Sequence, residues 1–358
     1  MRNFTLLLTL TVVAVGVGCQ EKTVSEPSNP SPRQPLEVEQ ILDALPKQKE
    51  SQKMRVSTEL SSDQNVPFSD RVAAAKQKLR DEIKKAGLAR IADNLDKLMM
   101  VSIRLKAAAS DGVLKPGSSK LGGTPDLPED MAWPECNGIP MALLAQFRMQ
   151  DVAHYDPHGR LPKSGILYFF YEAREQKWGY DPSDRGYWRV IYYDGDLARL
   201  RPATSPKNLP KENRFRACEV KLCNEITLPS WESENIKQLK LSKDEWDRYV
   251  VFPGTSCGEG ETIHRLLGHP EWIQGEMQLQ CQLASNGIYV GNSAGYADPR
   301  RAILEKGTDD WQFLLQIDSD EGNMGTMWGD VGRVYFWIRE QHLKKRDFNN
   351  VWLVLQCY

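Results

Sequence analysis

The 358-residue chain has no surplus of positive charge: 46 Lys and Arg stand against 48 Asp and Glu, a formal net charge of −2. Nucleic-acid binding draws on a basic stripe that neutralises phosphates, so this balance argues against a nucleic-acid partner. Histidine is scarce, with five residues. The seven cysteines show no spacing that makes a zinc knuckle, and nothing in the chain calls for a cofactor. The one long apolar run, FTLLLTLTVVAVGVG, is too short and wrongly flanked for a stable membrane span. Beyond residue 120 strand-like runs do not alternate with helical ones, which excludes the βαβ framework of a parallel sheet.

The apolar run fits a different role. Arg2 precedes it and Gly18-Cys19 ends it, the layout of an export signal in which a small residue stands before a lipid-bearing cysteine. Gly16 occupies a place where an aliphatic residue is usual. Gln20 follows the cysteine, so no Asp marks retention in an inner membrane. Residues 1–19 are therefore expected to be a lipoprotein-type signal peptide, with Cys19 lipidated and the protein exported and membrane-anchored on a periplasmic or outer-membrane face. Residues 20–66 are rich in Ser, Pro, Gln, Glu and Lys, too poor in apolar side chains to offset chain entropy, and read as a disordered tether.

The folded part is expected over residues 67–358. Val72, Ala75, Leu79, Ile83 and Ala86 recur at helical spacing and predict a helical segment over 69–99, capped by Ser69 or Asp70 and broken near Gly87. VSIRLK alternates as a strand. From Leu121 onward MALLAQFRM, GILYFFYE, YWRVIYYDG, RYVVFPG, GIYVGN, WQFLLQID, GRVYFWIRE and VWLVLQCY are strand-like and rich in aromatic and β-branched residues. Ser242 and Glu245 form a capping-box pair before one later helix, and a second short helix is expected through residues 261–267. The class is α+β, rich in β. An internal echo runs through it: LGGTPDLP, LLAQFRM and GILYFFYE over about 121–172, then LGHPEWIQ, LLQIDSD and GRVYFWIRE over about 267–340. This ordering predicts two related sheet modules in one globule, with Gln146 matched to Gln316 and Tyr168-Phe169 to Tyr335-Phe336.

The strings SKLGGTPDLPEDMAWPECNGIPMALLAQFRM, LPKSGILYFFYE, HRLLGHPEWIQGEM, WQFLLQIDSD, MWGDVGRVYFWIRE and RDFNNVWLVLQCY resemble the YwqG-like family, bacterial proteins grouped as a domain of unknown function. The likeness spans about residues 73–358. It implies an α+β fold with duplicated, sheet-rich halves and implies no activity. The signal, the tether and an inserted DVAHYDPHGR depart from the family's pattern.

Three sets of residues carry chemistry. Gln316, Asp318, Trp328 and Asp330, with Gln146 from the other half, combine a flat apolar face with directed hydrogen-bonding groups, as sugar or peptide recognition requires. The alternative is that these residues are hairpin core. Gly254-Thr255-Ser256-Cys257-Gly258 is a G-x-S-x-G string, with Asp330 and His342 following in hydrolase order, but no parallel framework surrounds it and no Gly-rich oxyanion motif precedes it. Asp151, His154, Asp156 and His158 offer metal-ligating atoms, although Pro157 breaks any regular helical face and a solvated loop explains them as well. Among cysteines, Cys218 and Cys223 could close a small loop unless one strand carries both on opposite faces; Cys281 and Cys357 read as buried thiols. The resulting expectation is a lipid-anchored binding protein, more a binder than an enzyme, for an envelope glycan or protein. A serine hydrolase using Ser256 and a metal-binding protein are the alternatives.

Overall fold

The computed structural model describes residues 58–358, apart from 64, 111, 113 and 253–261. Ten strands form one sheet: β1 (Met100–Ala109), β2 (Lys120–Leu121), β3 (Ala142–Arg148), β4 (Ile166–Tyr171), β5 (Trp188–Tyr193), β6 (Cys218–Thr227), β7 (His264–Leu266), β8 (Trp311–Asp318), β9 (Arg333–Arg339) and β10 (Trp352–Gln356). Their order across the sheet is β5-β4-β3-β2-β6-β1-β7-β8-β9-β10, and every neighbouring pair is antiparallel. β4 and β10 are buried along their whole length. Their continuous apolar sequences match that environment, since both faces are covered.

The sheet curls until its edges nearly close a barrel. The Trp188 Nε1–H on edge strand β5 donates to Val351 O, next to edge strand β10, at 2.9 Å. The Trp188 and Trp352 rings meet edge to face at 5.1 Å. Phe169 of β4 and Phe336 of β9, which are not neighbours in the sheet, meet at 5.1 Å across the curl. Edge closure of this kind leaves fewer free strand edges for unwanted pairing.

Two hydrogen-bond sets match across the sheet. Gln146 Oε1 accepts the Asp126 N–H (2.8 Å) and its Nε2 donates to Ser118 O (2.9 Å). Gln316 Oε1 accepts the Glu271 N–H (2.9 Å) and its Nε2 donates to Ile263 O (2.8 Å). The Tyr168 hydroxyl donates to Asp126 O, and that of Tyr335 to Glu271 O. Both β3 and β8 carry a bulge, after Leu143 and after Phe313. The register differs by one residue from the echo in the sequence. Lys120 pairs with Gln146 and Arg265 with Gln316, so Leu121 corresponds to Leu266 rather than Leu267. Gly122 and Leu267 then occupy one place, both with positive φ (62° and 57°). The doubled glycine misleads the eye, because Leu267 holds a left-handed backbone that usually selects glycine.

Helix α1 (Phe68–Ile83) follows Pro67, whose fixed φ suits a helix start, and neither Ser69 nor Asp70 caps it. Gly87, at φ 81°, interrupts the helical course before α2 (Ala92–Leu98). Leu79, Ile83 and Leu95 pack with Ile226 and Tyr249 in a second core. Each such aliphatic side chain contributes roughly 1.5–3 kcal/mol on burial. Helix α3 (Lys243–Val250) carries the expected capping box and takes up the residues at the start of RYVVFPG. Helix α4 (Gln278–Ser285) buries Cys281, so that thiol is helical, not in a strand.

Three further expectations are corrected. Residues 264–266 form β7 where a helix was expected; β1 and β8 on either side supply the ladder that overrides local helical preference. Residues 287–292 are not a strand, having no sheet neighbour to pair with. The body begins before residue 67: the Leu60 N–H donates to Asn224 O and the Ile226 N–H to Thr58 O, which fastens residues 58–60 to β6. Cys218 and Cys223 share β6, five residues apart, and both thiols are free.

Candidate functional site

The residues expected to line a cleft are mostly interior. Gln146 and Gln316 are fully buried and their amides are used on backbone groups. Asp318 accepts the Ile263 N–H at 2.8 Å and lies 3.0 Å from Arg333 Nε. Trp328 is fully buried, donates from Nε1 to Asp318 O at 3.2 Å, and packs edge to face on Tyr171 and Phe215. Only Asp330 is exposed, and its carbonyl accepts the Tyr358 N–H. Asp318 and Trp328 are thus brought together, but inside the molecule and not around an opening.

Ser256 lies outside the described residues, as does Cys19. His342 turns its Nδ1 to Asp347 at 3.1 Å, not to Asp330. In the insert, Asp151, His154 and His158 are exposed, while the buried Asp156 accepts the Leu161 N–H at 2.7 Å and closes its own turn. Among the described residues no group of three or more His, Cys, Asp or Glu is placed to hold a metal ion.

The strings that define the sheet centre instead build a buried charge network. Glu225 of β6 receives Arg265 Nε of β7 at 2.6 Å and the Ser102 hydroxyl of β1 at 3.2 Å, with Arg104 Nη1 at 3.8 Å. Burial pushes the Glu225 carboxyl up, but Arg265 and Arg104 outweigh it and hold the group below the usual glutamate value. Arg265 also reaches Glu271 at 3.4 Å. These groups lock the β6-β1-β7 register and are closed to solvent.

An open cleft lies elsewhere. Trp231, Glu232, Lys237, Trp246, Gln274 and Glu276 surround a cavity of about 370 Å³. Three separate segments position them. Trp231 and Glu232 follow β6, and Ser233 caps the short helical turn that carries Lys237, its hydroxyl accepting the Ile236 N–H. The Ser242–Glu245 capping box fixes the start of α3 and so the place of Trp246. Buried Gln356 of β10 accepts the Ile273 and Gln274 N–H groups and donates to Gly275 O, each at 3.0 Å, pinning the third wall.

The two indoles meet edge to face, 5.3 Å apart at 84°. Both are only partly buried. Desolvation raises the Glu232 carboxyl above its usual value, with Lys237 opposing it. Desolvation also raises Glu276, opposed by the Glu234 N–H that it accepts. Lys237 is paired with Glu234 at 2.6 Å. The cleft therefore offers aromatic surface, an amide and two part-desolvated carboxylates, a set suited to hydroxyl or ammonium donors. Sequence reasoning missed it, although Trp231 and Trp246 each stand beside acidic residues in a polar stretch.

The family described as "Domain of unknown function (DUF1963)" matches residues 119–357. The chain belongs to this family. The DUF1963 match takes in nine of the ten strands, every catalytic and ligand-binding position considered above, and the Trp231–Trp246 cleft, while α1, α2 and β1 precede it. A search of curated proteins returned no match. Among the described residues no helix is long and apolar enough to cross a membrane.

Proposed function

We propose that this DUF1963 protein is an exported, lipid-anchored binding protein that takes a neutral or amine-bearing envelope glycan in the Trp231–Trp246 cleft. The observation that carries the reading is the convergence of two indoles, two part-desolvated carboxylates and an amide in one open cavity. Sugar rings present C–H faces to aromatic rings and hydroxyls to carboxylate and amide oxygens. The carboxylates outnumber the one ammonium, itself paired with Glu234, which disfavours acidic sugars. Binding assigned to Gln146, Gln316, Asp318, Trp328 and Asp330 moves to this cleft, and those five residues serve the architecture. The matched Gln146 and Gln316 bonds further support two related sheet modules derived from one ancestral unit.

Calorimetric titration with chitosan oligomers, N-acetylglucosamine oligomers and neutral glucans tests the reading. Binding weakened at least tenfold in Trp246→Ala, with the sugar recovered uncleaved, supports it; no heat with any of the three removes it. Export and anchoring rest on the Gly18-Cys19 string. Incorporation of labelled palmitate in cells that is lost in Cys19→Ala would support that part, and an unlabelled full-length chain would refute it.

A further inference from the structure

A pair of adjoining clefts lies on the seam where the two edges of the sheet meet. One, of about 300 Å³, is lined by Arg185, Trp188, Arg189, Val190, Phe348 and Asn349 among others. The other, of about 420 Å³, adjoins it, and Arg185, Gly186 and Arg189 line both. The first contains two guanidinium groups and no carboxylate. The Arg185 side chain makes no hydrogen bond or ion pair among the described residues, and the Arg189 guanidinium donates only to the carbonyls of Gly186 (3.2 Å) and Trp188 (2.9 Å). Both side chains are exposed at the mouth. No ion pair joins them to the acids of the neighbouring cleft: Asp184 is buried and accepts the Gly179 N–H at 3.0 Å, and Glu135 is exposed to water.

Guanidinium forks select planar or tetrahedral oxyanions, and two without a carboxylate partner leave that capacity unused. The inner wall is of the other kind, formed by the Trp188 ring, Val190, Phe348 and Val351. Gly186 sits between the arginines at φ 115°, a left-handed backbone conformation that favours glycine.

We propose that this seam cleft binds an oxyanion, phosphate or carboxylate, carried on a small apolar body. Arg185 and Arg189 hold the charge, and the apolar part lies against Trp188, Val190 and Phe348. Arg185 and Arg189 belong to the β5 side and Phe348 and Asn349 to the β10 side, so one bound molecule touches both edges of the sheet. Occupancy therefore strengthens the closure made by the Trp188–Val351 hydrogen bond, and a ligand that binds only the folded state raises the melting temperature with concentration.

Thermal unfolding and calorimetry with phenyl phosphate, phenylacetate and inorganic phosphate test this on the full chain. Phenyl phosphate or phenylacetate is expected to bind saturably, at least tenfold more weakly in Arg185→Gln and Arg189→Gln, and unchanged in Trp246→Ala. The choice between the two identifies phosphate or carboxylate as the preferred head. No binding by either aromatic anion, or binding unaltered in both arginine variants, overturns the proposal. Inorganic phosphate binding as tightly as phenyl phosphate overturns the part assigned to the apolar wall. Because Trp246 lies in the other cleft, its variant separates failure of this site from failure of the glycan reading.

Discussion

Gln146 and Gln316 are buried at matching places in two halves of one sheet, and each uses its Oε1 and Nε2 to bridge one backbone N–H and one backbone carbonyl at equivalent positions. Neither amide has room for an external ligand. Replacing either by Leu leaves one buried N–H and one buried carbonyl without partners, at about 1–3 kcal/mol for each orphan. Gln146→Leu and Gln316→Leu are each expected to lower the unfolding free energy by roughly 2–4 kcal/mol in urea titrations. The sites lie in separate halves, so the double variant should lose close to the sum. A loss below about 0.5 kcal/mol in either single variant would contradict the bridging role.

Glu225 has two arginines because one carboxylate is shared by three strands. Arg265→Met removes the shorter of its ion pairs and leaves a buried charge short of a partner, a change worth about 3–5 kcal/mol. Adding Glu225→Gln to Arg265→Met should recover part of that loss. If instead the double variant is less stable than the single one, the Glu225 charge is not the source of the penalty. The pH dependence follows from the lowered carboxyl value: Glu225 stabilises the fold above the ordinary glutamate range and that contribution disappears as pH falls through its folded value.

His269 gives a second acid-sensitive element. Burial pushes its imidazole down to about 4, and Arg265 adds to the effect, while the bond that its Nε2–H donates to Leu98 O opposes it. The folded value lies below that of the unfolded chain, so the neutral ring is favoured in the fold. Its contribution is complete above about pH 6.5 and is lost as pH falls toward 4, at about 1.4 kcal/mol per unit of displacement. Unfolding free energy measured from pH 7 to 4 should therefore drop by on the order of 2–3 kcal/mol more in the parent than in His269→Asn. Parallel curves would show that the ring is not held neutral.

The strands that could be recognised from sequence were those with their own dense apolar text, such as ILYFFY and WLVLQ, because burial on both faces needs no help from periodicity. Strand β7 was not legible. Three residues cannot display an alternation, and HRLL scans as a helical fragment until β1 and β8 are set beside it. The order of motifs aligns the two glutamines, yet it sets the register one residue off because Leu267 takes the backbone conformation that Gly122 takes. The Trp231–Trp246 cleft was invisible for a different reason. Its walls come from segments about 231–237, 246 and 274–276, and only the fold makes them neighbours.

The cleft carboxylates predict a stability effect of opposite sign to that of His269. Desolvation raises Glu232 and Glu276, so their ionised forms oppose folding. A raised folded value means the favourable contribution is present at low pH and lost as pH rises through that value. Glu232→Gln should raise the unfolding free energy at pH 7 slightly, by less than about 1 kcal/mol after solvent screening, and leave it unchanged near pH 3. The same variant should weaken amine-bearing sugars more than neutral ones. Equal losses for both would show that the carboxylate acts only as a hydrogen-bond acceptor.

The matched DUF1963 span begins after β1, yet β1 sits in the middle of the sheet between β6 and β7. A chain trimmed to residues 119–357 would expose the long edge of β6 and the short edge of β7, orphan the β6 ladder from Cys218 to Thr227, and strip Ser102 and Arg104 from buried Glu225. Edge strands of that length are templates for aggregation, and a buried charge short of its partners adds to the loss. The trimmed chain should therefore be insoluble or lack a cooperative melting transition. A chain starting at residue 58 keeps β1 and the bonds from Thr58 and Leu60 to β6, and should melt cooperatively. Circular dichroism melts of the two settle the matter: a sharp transition in the trimmed chain would mean that β6 and β7 can close the sheet without β1.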